Sequence, residues 1–410
     1  MPLPKLIRVR QVFDKTRLED AYGAVTSGLQ GLGLAKKIRP GARIAVTAGS
    51  RGIHNLVKMT RAAVDTVKAM GGQPFIVPAM GSHGGATDEG QKTLLADLGI
   101  SEASMGCPVV SSMAVEEIGR TPAGVPVYLD RNALQSDGII AINRVKLHTI
   151  FRGDVESGLC KILAVGLGKH KGAQQIHKIG VAEIVVESAR VILAKAPVLA
   201  GVAVLENSRD ETMEVHVVPP ERFEATDVAL LKRAWQVFPR VPFDPLDVLV
   251  VDEMGKNISG TGMDTNVIGI GGRVGGKMTM GTPAVSAVVV LGLTPETHGN
   301  ANGIGLADLT TRRLVDAIDY KSTYTNVITT RLWAGGRLPL ILETDREAIE
   351  LAVGDTPLDE LRFVRIKDTL HLEELEISEA LLPEARKLGL TILGEARALE
   401  FDGTRRVRPF

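Results

Sequence analysis

The segment Asn143 to Lys161, NRVKLHTIFRGDVESGLCK, holds two lysines, two arginines, a histidine and a cysteine, and His177 follows Lys161 by sixteen residues. Each residue type has a distinct chemical use. The imidazole of His148 titrates near neutrality and so takes and returns protons at ordinary pH; the simpler alternative is a polar residue ending a strand. Lys161 lies between SGLC and the apolar ILAVGLG. An amine at the start of a buried helix loses solvation, which lowers its pKa and makes it a nucleophile or an attachment point. Its commoner fate is to snorkel to solvent. Cys160 reads either as a small buried residue or as a thiolate activated by the neighbouring lysine. His177, on a helical stretch, reads by itself as a solvated surface residue.

Two further positions join this group. His83 sits in GSHGG, where flanking glycines leave the ring accessible for acid–base work as readily as for bonding local backbone. Arg51, in AGSRG, is either a surface arginine or a bidentate clamp for a carboxylate. A third glycine-rich stretch has less to offer. GGRVGGK, from Gly271, has the G-x-x-x-x-G-K spacing but continues with Met278 where a triphosphate-binding loop needs Ser or Thr for magnesium. It reads as a loop that lets backbone approach closely. No G-x-G-x-x-G follows the first strand, which argues against a standard dinucleotide fold.

The elements that must position these residues follow an α/β pattern. RIAVTAG (43–49) and PFIVPAMG (74–81) read as buried strands, with an amphipathic helix (55–72) between them that ends in a double glycine. A helix around DEGQKTLLADLG, a strand at 137–146, a helix at 181–196, the strand LAGVAVLEN and a helix around ATDVALLKRAWQVF complete the first half. In open parallel sheets ligands bind beyond the carboxyl ends of strands, and Arg51, His83 and His148 all fall there. PRVPFDP (239–245), with three prolines, reads as a hinge. Beyond it come the strand LDVLVVDEMG, a glycine-rich loop (256–277), the strand AVSAVVVLGL, a helix at LADLTTRRLVDAID, the strand LPLILET and the helix DREAIELAVG. The expected architecture is two α/β domains, each a mostly parallel sheet flanked by helices, with the active site in the interdomain cleft. The expected boundaries are 1–244, 245–390 and a C-terminal segment, 391–410, returning to the first domain.

Length and composition agree. A chain of 410 residues exceeds one ordinary domain of about 100–150 residues and supports two substantial cores. Lys plus Arg and Asp plus Glu number 48 each, so no global field recruits nucleic acid or an anionic membrane, and a small-molecule partner is expected. Two cysteines are too few for a disulfide framework or an iron–sulfur cluster. The first residues lack a signal-peptide core, and the longest apolar run, 284–293, is well short of the roughly 20 residues that span a bilayer. The expectation is a cytoplasmic protein, with its oligomeric state open.

Arg51, His83, His148, Lys161 and His177 together resemble the nickel-dependent lactate racemase family, where those residue types follow in that order. The similarity covers roughly the first half of the chain and continues more faintly through Asp264-Thr265-Asn266. Its most specific element is the sixteen-residue interval from lysine to histidine. The resemblance implies a nickel-pincer nucleotide, a pyridinium mononucleotide with two sulfur arms, tethered to Lys161 and with nickel bound by His177. It also implies dependence on cofactor-synthesis enzymes and a 2-hydroxy acid substrate, racemised or epimerised by passing a hydride to the cofactor and back. His83 and His148 would be the two bases, one for each enantiomer, and Arg51 would orient the carboxylate. The surroundings differ from the lactate enzymes. AGSRG stands for Asp-His-Thr-Arg-Pro, GSHGG for Gly-Thr-His-Arg-Pro, and Leu159-Cys160 for Gly-Arg; the loop from His148 to Lys161 is three residues longer. In place of the family's second-domain substrate lysine this chain offers Lys256 or Arg273. Those departures fall on the substrate side, and imply a larger 2-hydroxy acid than lactate, such as a sugar acid. Two other readings stand beside this one. One is a zinc-like hydrolase in which His83, His148 and His177 hold a divalent ion; the other is a non-catalytic organic-acid-binding protein.

Overall fold

The computed structural model describes residues 2–50, 52–149, 152–179, 182–274, 277–330 and 332–410, with the side chains of 177–179, 182–183, 271–274, 277–279 and 329–330 left aside. The chain divides into two compact units. One comprises residues 14–238, the other residues 1–13 together with 239–410.

The first unit is built on a five-stranded sheet in the order Gln73–Pro78, Arg43–Ala48, Gly138–Arg144, Val198–Glu206, Thr212–Val218. The first four strands are parallel and the last is antiparallel to its neighbour. Both faces are covered, which is why the strands are continuously apolar rather than alternating. Ile140, Ile142, Val202 and Val204 point to the side of helices Ala21–Gly31 and Leu56–Ala69; Ile139, Ala141, Ala203 and Leu205 point to the side of Leu159, Leu163, Ile192, Phe223 and Leu230. The helices Asp88–Asp97, Lys169–Ile179, Ala182–Lys195 and Phe223–Val237 complete the layers.

The second unit carries a mixed nine-stranded sheet. Leu340–Leu342, Leu309–Thr311, Val285–Leu293, Leu246–Met254 and Phe363–Ile366 lie parallel in that order. Glu374–Ser378 then runs antiparallel to Phe363–Ile366, and the N-terminal strand Lys5–Arg10 antiparallel to Glu374–Ser378.

Several expectations need correction. The domain exchange runs opposite to the one expected: residues 391–410 do not return to the first unit. Instead Lys5–Arg10 crosses to the second and pairs with Thr391–Ile392 and Arg397–Ala398. Gln11 secures that crossing, its side-chain amide donating to the carbonyls of Leu372 (2.7 Å) and Arg240 (3.0 Å). The proline-rich segment does begin at the unit boundary, but it belongs wholly to the second unit. The glycine-rich stretch 256–277 is not all loop, since Ile270–Val274 and Lys277–Met280 form an antiparallel pair. The expected helix at LADLTTRRLVDAID splits into the strand Leu309–Thr311 and the short helix Arg312–Asp316. Its two threonines explain the split. Their hydroxyls donate to the carbonyls of Val290 and Leu291, and Thr311 Oγ1 accepts from the Leu314 amide as the helix cap.

The crossing strand makes a direct test. Deleting residues 1–13 leaves Glu374–Ser378 paired along one edge only, and limited proteolysis with mass mapping is expected to show new cleavage within 363–410 while 14–238 stays resistant.

Candidate active site

The site grows from the carboxyl ends of the parallel strands in the first unit. Gly49 and Ser50 follow Arg43–Ala48, Gly81 to Gly85 follow Gln73–Pro78, and Val145 to His148 follow Gly138–Arg144. The Ser50 hydroxyl and the His83 Nδ1 share a hydrogen bond, which joins the first two loops. A Cβ built on Gly49 would lie 3.5 Å from Ile162 Cδ1 and 3.9 Å from Asn143 Oδ1, so the loop between them rests on the start of the lysine-bearing helix.

That helix begins with Leu159–Lys161, widens into a π-helical stretch at Ile162–Gly166, and resumes as Lys169–Ile179. Single-turn π segments are uncommon and concentrate at functional sites. Its N-terminus is capped by a residue far along the chain: the Asp227 carboxylate accepts from the amides of Leu159 (2.9 Å) and Cys160 (2.8 Å). Gly158 makes room for it. At φ +151° a side chain is disfavoured, and a Cβ there would stand 2.2 Å from Asp227 Oδ1. Asn143 Nδ2 donates to the Gly158 carbonyl at 2.6 Å, tying the third strand to the same turn. Lys161 is half-buried at the end of this first turn.

The GSHGG loop packs on the continuation of the same helix. The Gly81 amide donates to the Gly166 carbonyl at 3.2 Å, and a Cβ on Gly166 would come within 2.7 Å of the Ala79 oxygen. Gly81, at φ +59°, faces Ala173, whose Cβ lies 3.3 Å from where its own would be. Position 177 is one helical turn beyond Ala173. The His148 loop is folded around Glu156, a buried carboxylate that accepts from the His148 amide at 2.7 Å; Arg152 donates to the His148 carbonyl and lies 3.9 Å from Glu156. Burial pushes the Glu156 carboxyl above its ordinary range, opposed by the His148 amide, by Arg152 and by the Lys161 cation.

Among the sequence candidates, then, the His83 loop packs on the segment that bears Lys161, and the His148 loop leads into that segment through Glu156. Arg51 lies outside the described residues, as do the side chains of His177 and Arg273. Lys256 belongs to the second unit, where its Nζ donates to the Gly260 carbonyl at 2.8 Å. Among the described residues no group of three or more His, Cys, Asp or Glu is gathered for a metal. The thiolate reading of Cys160 is overturned: the side chain is buried, and burial together with the Asp227 charge drives the thiol pKa upward. Sequence inspection passed over Glu156, Asp227, Ser50 and Gln91, as well as the fully buried pair Lys169 and Asp130, whose Nζ and Oδ2 stand 3.4 Å apart. Burial lowers the Lys169 pKa and raises that of Asp130, each partly offset by the other's charge. A charged residue placed among helix-spaced apolar ones, such as Asp227 in ATDVALLK, was the one signal available for a buried cap.

Residues 29–192 match the family model described as the lactate racemase N-terminal domain. Over those residues the chain is similar to that domain. The match spans the first three strands of the sheet, both histidine-bearing loops and the Lys161–Ile179 segment, so the family resemblance read from the sequence holds there. Two solved structures share the fold. The lactate racemase apoprotein from Thermoanaerobacterium thermosaccharolyticum aligns with TM-score 0.55 at 12% identity, over 90% of this chain and 99% of that one. A protein from Thermotoga maritima aligns with TM-score 0.52 at 14% identity, over 78% of this chain and 84% of that one. No functionally curated sequence matches the chain. No helix among the described residues is long and apolar enough to cross a membrane.

Two outcomes check this geometry. The Asp227 carboxyl is raised from 3.8 to about 6 by burial, against the two amides that favour its charge. The folded state therefore binds a proton more tightly than the unfolded one, so this residue's contribution to stability rises as pH falls from about 6 towards 4. Denaturant unfolding at pH 7 and pH 5 should show a gain for the native protein relative to Asp227→Asn of no more than about 3 kcal/mol. In native protein at pH 8, Cys160 should resist iodoacetamide, and peptide mapping after denaturation should show it fully alkylated.

Proposed function

We propose that this protein racemises or epimerises a 2-hydroxy acid with a nickel-pincer nucleotide tethered to Lys161 and ligated through nickel by His177. The observation that carries the reading is the packing of the GSHGG loop on the segment Leu159–Ile179, which bears Lys161 in its first turn and position 177 near its end, within the residues that match the lactate racemase N-terminal domain. The lysine end of the chain suits such a group. Lys161 is half-buried on a turn whose backbone is fixed by Asp227, and its charge acts on the buried Glu156 carboxylate. When bound, the pincer nucleotide supplies acceptance and return of a hydride at the carbinol carbon.

The chain's own residues supply proton transfer and orientation. In the tautomer whose Nδ1–H donates to Ser50 Oγ, the His83 Nε2 carries the lone pair that takes the substrate hydroxyl proton. His148 does the same work for the other enantiomer, because inversion needs a base on each face of a planar keto acid. Arg51 orients the carboxylate. The small residues around His83 and Arg51, in place of the bulkier ones in the lactate enzymes, favour a larger 2-hydroxy acid such as a sugar acid. The cofactor makes the synthesis enzymes obligate partners, and cytoplasmic residence follows from sharing their compartment.

Co-production with the pincer-synthesis enzymes followed by intact-mass measurement tests the reading. A nucleotide adduct is expected that maps to Lys161 and vanishes in Lys161→Ala, whereas His177→Ala keeps the adduct and loses nickel. His83→Ala and His148→Ala should each lower turnover by about 10²–10⁴ on a panel of chiral 2-hydroxy acids. A chain that never acquires the adduct under those conditions sinks the proposal.

A further inference from the structure

Among the described residues Lys169 is one of the largest side chains with no solvent exposure at all, and the chemistry above leaves it without a task. Its backbone holds φ +53°, a left-handed conformation that non-glycine residues keep only where their surroundings impose it. The ammonium group donates to the Pro78 carbonyl and to Gln91 Oε1 (3.1 Å), and faces Asp130. Gln91 is itself fully buried, and its Nε2 donates to the carbonyls of Gly81 (2.9 Å) and His83 (3.2 Å). An amide side chain has two ends of nearly equal shape and opposite polarity, so a buried glutamine is held in one sense only by its partners. Lys169 donates only, and therefore fixes the oxygen end toward itself and the NH₂ end toward the loop.

We propose that Lys169 is a positioning residue for His83, acting through Gln91. The ammonium selects the amide orientation of Gln91, and Gln91 then ties the carbonyls on either side of Ser82 to the helix Asp88–Asp97, setting the loop in which Ser50 meets the His83 ring. Asp130 supplies the counter-charge that lets the cation stay buried, while its Oδ1 caps the helix Arg131–Leu134 by accepting from Ala133 at 2.9 Å. The catalytic use of His83 rests on the function proposed above, but the chain Lys169–Gln91–loop does not.

Gln91→Glu is the local variant: its carboxylate still accepts from Lys169 but has no hydrogen to give the loop. Lys169→Met with Asp130→Asn removes both charges together, so no unpaired ion is left in the core, and asparagine keeps the helix cap. In protein carrying no cofactor, hydrogen exchange at the amides of His83, Ala86 and Thr87 should accelerate about tenfold or more in both variants, as expected for losing a buried charge-assisted bond. The strand Val198–Glu206 should exchange as in the native protein, which separates a local effect from a loss of fold. In cofactor-loaded enzyme, kcat should fall about tenfold or more with KM nearly unchanged, since the base is displaced and the substrate contacts are not. Loop exchange at the native rate in a folded variant overturns the proposal. Accelerated loop exchange in a protein that acts on no hydroxy acid upholds the positioning chain and discards the catalytic reading.

Discussion

The contact on which the site depends is the carboxylate of Asp227 against the amides of Leu159 and Cys160. The opening amides of a helix have no partners within it, and in a buried location such orphans must be satisfied from elsewhere. Here a residue on a helix distant in sequence satisfies them, so the first turn is held and Lys161 is placed at its end. Gly158 is the geometric condition for that contact, because any side chain would occupy the position of the carboxylate oxygen.

From that anchored turn the helix carries the rest of the arrangement. The π-helical widening at Ile162–Gly166 brings Gly166 against Ala79 and Gly81, and the next turns bring Ala173 to the same loop. Backbone approaches this close are open only to small residues, which is why glycines concentrate where strand ends meet the helix. The polar groups under the loop follow the rule that buried donors and acceptors are paired: Lys169, Asp130 and Gln91 form a charge-assisted chain beneath it, and Glu156 does the same beneath His148. The loops carrying the acid–base residues are thereby seated on a fixed polar floor.

Much of this was legible in the sequence. Arg43–Ala48, Gln73–Pro78 and Val198–Glu206 are β-branched apolar runs bounded by turn residues, and Leu56–Ala69 has helical periodicity with a glycine stop, so local pattern and tertiary structure agree. The family resemblance rested on Arg51, His83, His148, Lys161 and His177 in that order, with the interval from Lys161 to His177 its most specific element, and the matched residues 29–192 include all five positions. The failures share a cause. LADLTTRRLVDAID looks helical by spacing, yet two threonine hydroxyls find carbonyls on the neighbouring strand, and the sheet overrides local propensity. Of the two readings of Cys160, the commoner, a small buried residue, holds, and the thiolate fails because its spatial neighbour is an anion rather than the lysine adjacent in sequence.

The sequence alone determined the alternation of strands and helices, the break at Pro239 and the residue types able to carry acid–base and tethering chemistry, because these are set by local periodicity and by the intrinsic properties of side chains. Tertiary structure decided which unit the first thirteen residues join, which carboxylate caps the lysine-bearing helix, and that Lys169 is buried beneath the histidine loop. Those outcomes depend on pairings between positions tens to hundreds of residues apart, such as Lys5–Arg10 with Glu374–Ser378 and Asp227 with Leu159 and Cys160. No local pattern encodes them, since each partner's preference is satisfied only when the whole sheet has placed it.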